Sequence, residues 1–142
     1  MKLHPIKGFL ILLFVELTHM SIAQTTQLQL SPEEIANRVA AVHGSAFVTN
    51  NPTLVVALGK VLTERIEFQL AEQDASEKFP LLSTVPLNTK VNPSIQGANF
   101  SNFDVNTFNP LVYYLEFFSN RTQIFRIDNT GYLMIIKPNQ TL

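Results

Sequence analysis

Pro80, Pro86, Pro93 and Pro110 confine any long helix to the part of the chain before residue 79. Proline has no amide hydrogen to donate and its ring clashes with the preceding turn, so a helix entering this asparagine-rich stretch is broken again and again. The chain therefore divides into helix candidates before the stretch and strand candidates after it.

Two helix starts stand out in the first part. Ser31-Pro32-Glu33-Glu34 places a hydroxyl at the cap, proline at the first helical position and a carboxylate three residues after the serine. That carboxylate can bond back to the cap amide, closing a capping box. Ile35, Val39 and Val42, with Ala36 and Ala40 beside them, then form an apolar stripe that Gly44 can stop. Asn51-Pro52 repeats the signal, with Asn51 as the cap. From Thr53 to about Leu70, the residues Leu54, Val55, Leu58, Val61, Leu62 and Ile66 make a broad stripe opposite Lys60, Thr63, Glu64 and Glu67. The spacing predicts one long helix there. Gly59 within it costs about 1 kcal/mol relative to alanine and marks a close helix approach.

After Pro110 the composition shifts to β-branched and aromatic residues. Runs over 111–118, 122–127 and 132–137 are separated by short turn-forming linkers, which predicts antiparallel hairpins. Within the middle run, Ile124 and Arg126 take the solvent side and Phe125 the covered one. Phe79 to Leu87 can add a short edge strand interrupted by proline. The expected fold is α+β: two N-terminal helices packed on one face of a C-terminal antiparallel β-meander of three to four strands.

The first 23 residues stand outside that scheme. Lys2 and Lys7 make a basic start, Phe9 to Val15 an apolar run, and Ser21-Ile22-Ala23 a small-residue cleavage site. This is the layout of a secretory signal peptide. Glu16 and His19 interrupt a segment that would need about 20 apolar residues to span a bilayer, and no later stretch approaches that length. Cleavage after Ala23 leaves 119 of the 142 residues: a flexible lead-in over 24–30 and a single α+β domain over 31–142. The expected location is periplasmic or extracellular. Without cysteine, thiol catalysis, Cys-ligated zinc and disulfides are excluded. Beyond Ala23 there are eight Lys or Arg and ten Asp or Glu with no basic run. Phosphate backbones need clustered cations, so nucleic acid is not an expected partner.

Groups able to do chemistry are few. His43 is the one histidine beyond the leader, and its place near a helix C-terminus suits electrostatic capping. Glu64 and Glu67 lie a turn apart on the predicted long helix, where they either pair for metal or acid-base work or form a solvated face beside Lys60. No glycine-rich phosphate loop is present and no cofactor is expected. The larger surplus is aromatic: Phe100, Phe103, Phe108, Tyr114 and Phe118 are the candidate ligand-binding residues. Exposed aromatics beside Asn and Gln can stack on sugar rings or grip a protein; the alternative role for them is core filling in a chain without tryptophan.

Through Ser21-Ile22-Ala23-Gln24, Phe79-Pro80-Leu81-Leu82-Ser83-Thr84-Val85-Pro86, the Phe108 to Tyr113 segment and the closing Phe125 to Tyr132 segment, the chain is similar to short uncharacterised exported proteins of Bacteroidota bacteria. That resemblance implies an envelope or secreted location and brings no activity with it. The leading expectation is an exported, non-catalytic domain of the cell envelope that binds an envelope protein or a glycan. The alternatives are a small carboxylate- or metal-dependent hydrolase assisted by His43, and a self-associating structural module forming a homodimer.

Overall fold

The computed structural model describes residues 24–72 and 76–140. The secretory signal read over residues 1–23 lies outside them. Among the described residues the fold is α+β, with three α-helices and one four-stranded antiparallel sheet.

Helix α1 (Pro32–His43) begins as its cap dictates. The Glu34 amide donates to Ser31 Oγ at 3.2 Å and the Ser31 amide donates to Glu34 Oε2 at 2.7 Å. The Ser31 backbone amide and, to a lesser extent, the Ser31 side chain also hold the Glu34 carboxyl below its ordinary pKa. Gly44, at φ 87°, ends the helix in a conformation that a side chain would strain. A short helix absent from the sequence expectation follows, α2 (Ser45–Asn50), then α3 (Pro52–Lys60). Asn51 does not cap α3 with its side chain; its Nδ2 donates back to the Phe47 carbonyl at 3.0 Å. A Cβ built on Gly59 would meet Ile35 side-chain carbons at 3.1 Å, so α1 and α3 touch where the glycine stands.

The helix expected to run to Leu70 stops ten residues short. It widens to a π-helical turn over Val61–Arg65 and then becomes strand β2 (Ile66–Leu70). Ile66 and Phe68 are as compatible with an alternating strand as with a helical stripe, and pairing to the C-terminal strand decides the outcome. Glu64 and Glu67 consequently do not share a helix face. One ends in the π turn and the other in the sheet, where it pairs with Lys137 at 3.5 Å.

The lead-in over 24–30 is likewise structured. It supplies strand β1 (Thr25–Gln27), paired to β2, and Leu28, which is buried in the core. Strands β3 (Gln123–Arg126) and β4 (Tyr132–Ile136) form the expected hairpin. The sheet order is β1-β2-β4-β3, so the three-run meander is not formed. Its first run, 111–118, fails as a strand because its backbone is engaged elsewhere. Pro110–Val112 is a 3-10 turn, and Asn88 Nδ2 donates to the carbonyls of both Leu111 (2.8 Å) and Tyr113 (3.1 Å), taking acceptors a ladder would use. The 79–87 segment contributes single bridges at Leu81 to Arg126 and at Leu87 to Tyr113 instead of a strand.

Register places Ile66, Phe68, Met134, Ile136 and Phe125 on one side of the sheet. These join Val39, Val42 and Leu58 of the helices in one apolar cluster. Glu67, Gln69, Ile124, Ile135 and Arg126 alternate onto the other side with buried Leu133, and Ile124 and Arg126 are as half-buried as Phe125, so the solvent side expected for them is not an open face.

Candidate functional site

The loop from Gln96 to Val112 has little regular structure and is held down by two devices. Arg38 of α1 donates from Nη1 to the Phe108 carbonyl and from Nη2 to the Asn106 carbonyl. Its own carbonyl accepts from Asn109 Nδ2 at 2.9 Å, so α1 and the loop are tied in both directions. Burial lowers the Arg38 pKa, partly opposed by Glu34 and Asp104, but a guanidinium remains charged regardless. Farther on, buried Tyr113 accepts from the Ala98 amide through its hydroxyl at 3.0 Å. Burial raises the phenol's pKa, keeping it a neutral hydrogen-bonding group.

Those anchors press Phe103 and Phe108 onto the sheet. Their ring centroids lie 5.3 Å apart, with Phe68 at 6.1 and 5.9 Å from them and Tyr132 5.8 Å from Phe103. Tilted and edge-on packing of this kind satisfies ring quadrupoles and is worth about 0.5–1.5 kcal/mol per pair beyond area burial. Over this floor the loop leaves a groove of about 300 Å³, rimmed by Gln96, Asn99, Asn102, Asp104 and Thr107. That volume is at the small end of the range for ligand sites, about 300–1,000 Å³.

The rim residues differ in how free they are. Asn99 Oδ1 accepts from the Ser101 amide, and Asp104 Oδ1 accepts from the Asn106 amide at 2.9 Å. The side-chain amides of Gln96 and Asn102 make no hydrogen bond among the described residues, and both residues are exposed. Each primary amide offers two donors and an acceptor, the complement of a vicinal diol. One carboxylate and several amides over an aromatic floor make a site suited to neutral, hydroxyl-rich ligands.

The five aromatic candidates thus separate. Phe103 and Phe108 line the groove, Phe108 almost wholly inside the core. Phe100 is half-buried and packs against the core cluster. Tyr114 and Phe118 are 70% and 51% exposed, and neither lines the groove. Core filling and surface display are therefore both found, in adjacent stretches of chain.

His43 closes α1 and stacks on Phe47 with ring centroids 4.5 Å apart. Burial lowers its pKa, which makes it a poorer cationic cap than its position suggests. Among the described residues no three His, Cys, Asp or Glu side chains cluster with metal-ligand geometry, and no helix is long and apolar enough to cross a membrane. Gln96, Asn102 and Thr107 were not legible as site residues because the loop's tie-points lie on α1 and at Tyr113, far off in sequence. The only available signal was the density of amide side chains near Phe100 and Phe103. Comparison with protein-family models, with curated proteins and with solved structures finds no match.

Proposed function

We propose that this chain is an exported, non-catalytic binding domain of the bacterial cell envelope, and that the groove over Phe103 and Phe108 takes a short neutral glycan. The observation that carries the reading is the pairing of two uncommitted amides, Gln96 and Asn102, with a fixed aromatic floor. Sugars present hydroxyl pairs on their edges and C–H groups on their faces, and amides and rings answer these in turn. The export layout of the leader supports a location in the envelope or the medium. In this reading the helices form a layer on one face of the sheet and brace the loop from behind through Arg38.

The test is titration of the isotope-labelled protein with a panel of neutral di- and trisaccharides, followed by amide chemical shifts. Binding should move Gln96, Asn102 and Thr107, and Asn102→Ala should weaken it about tenfold, the worth of a hydrogen bond left unmade. If every saccharide at millimolar concentration leaves those three amides unmoved, the glycan reading is wrong. Recovery of the protein in the cytoplasmic fraction with its leader intact would remove the location separately.

A further inference from the structure

A second, larger cleft of about 570 Å³ lies where the π turn meets the C-terminal segment, lined in part by Lys60, Glu64, Phe118 and Pro138. It shares no residue with the amide-rimmed groove, and its walls are built differently. Arg65 holds them together. Its guanidinium donates to the carbonyls of Phe117, Ser119 and Lys137, and its own carbonyl accepts from the Lys137 amide at 2.8 Å. Together those bonds fix the placement of Phe118 and of the 137–139 segment relative to the π turn.

What remains uncommitted in the cleft defines its chemistry. Lys60 and Glu64 make no hydrogen bond or ion pair among the described residues, although they are four apart on a helical turn. Lys137 is held by Glu67, and Arg65 by carbonyls, yet both keep their positive charge at the wall. The local balance is therefore positive, with Lys60 as its free cation. Beside it Phe118 stands half in solvent, an apolar surface that nothing in the fold uses. A π-helical insertion replaces regular hydrogen bonding at this spot, and such insertions recur at functional sites.

We propose that this cleft is a peptide-binding site for a carboxylate next to an apolar side chain, with Lys60 meeting the acid and Phe118 the apolar group. The site stands independently of the glycan groove. Together the two would let one small domain hold a polypeptide and a glycan at once.

The probes are acetyl-Ala-Phe with a free C-terminal carboxylate, the same peptide as its C-terminal amide, and acetyl-Asp-Phe amide, which carries its carboxylate on a side chain. Amide chemical shifts of the protein are followed during titration. At least one acid form should move Lys60, Glu64 and Phe118 and bind about tenfold more tightly than the uncharged amide, the scale of one charge-assisted hydrogen bond. The tighter of the two acids identifies a terminal or a side-chain carboxylate as the natural source. Lys60→Met should erase the preference for acid, and Phe118→Ser should weaken all three probes while leaving the preference. Both residues are exposed, so the variants should fold as the parent does. Absence of shifts at the three positions, an acid-to-amide ratio under about threefold, or an unchanged preference in Lys60→Met would each overturn the proposal.

Discussion

Phe103 and Phe108 sit six to fifteen residues before Tyr114 and Phe118, in the same aromatic-rich stretch, yet the first pair packs against or into the core and the second is left largely in solvent. Ring chemistry does not separate them. The difference lies in which backbone atoms the helices grip. Arg38 holds the carbonyl of Phe108 itself, drawing that ring inward. Arg65 holds the carbonyls of Phe117 and Ser119, the residues on either side of Phe118, so Phe117 is buried and its neighbour faces out. One arginine from each end of the helical region thus staples an irregular segment, and the register of the staple decides which aromatics are structural and which are displayed.

The sharpest way to break this contrast is to delete one ring from each class. Phe108→Ala should cost about 3–5 kcal/mol, because it opens a cavity beneath the loop. Phe118→Ala and Tyr114→Ala should each stay within about 0.5 kcal/mol. Urea denaturation with constant m-values gives all three numbers. A large loss from Phe118→Ala would mean that the ring is part of the core after all.

The staples come next in size. Arg38→Met and Arg65→Met each keep the aliphatic stem and remove the fork, leaving carbonyls without donors at a cost of about 1–3 kcal/mol apiece. Lysine should rescue neither, since a point ammonium cannot span two carbonyls in fixed geometry. If the staples set ring placement, amide shifts should change around Phe103 and Phe108 in the Arg38 variant, and around Phe118 in the Arg65 variant. The reverse pattern, or the same pattern in both, would sink the idea. Smaller still is Tyr113→Phe, which removes the acceptor of the Ala98 amide and should cost about 1 kcal/mol while loosening the groove wall.

Much of the framework was readable because its causes are local. The capping box at Ser31, the glycine stop at Gly44 and the β3–β4 hairpin all follow from residues close to one another in sequence. The errors fall where a distant partner overrides a local pattern. Ile66–Leu70 carries apolar positions that fit both a helix and a strand, and only β4, more than 60 residues later, selects the strand. Thr25–Gln27 has no period of its own and becomes β1 by adding to that same β2. The 111–118 run has strand composition throughout, but Asn88 occupies its carbonyls. At the candidate sites the same limit applies: aromatic surplus was visible, whereas the arginines that sort it act on carbonyls 52 to 72 residues away in sequence.

The smallest expected effect concerns His43, which lies at the end of the same helix that carries Arg38 and tests whether α1 is braced by charge or by packing. A cationic histidine in the last turn would favour the helix dipole and would raise its own pKa in doing so. Burial instead lowers it, and the ring stacks on Phe47. The folded protein therefore binds a proton at this site less readily than the unfolded chain does. Stability from this group is complete above the unfolded histidine value of about 6.5 and is lost as pH falls through the lower folded value. A wild-type protein should thus lose a fraction of a kcal/mol more than His43→Phe between neutral and mildly acidic pH. His43→Phe should also match or exceed wild-type stability at neutral pH, since the stack is kept. Paired urea titrations across that range decide between the two braces. A wild type that instead gains stability on acidification, relative to His43→Phe, would show the imidazolium capping the helix and would assign α1 a charge-based hold on its C-terminus.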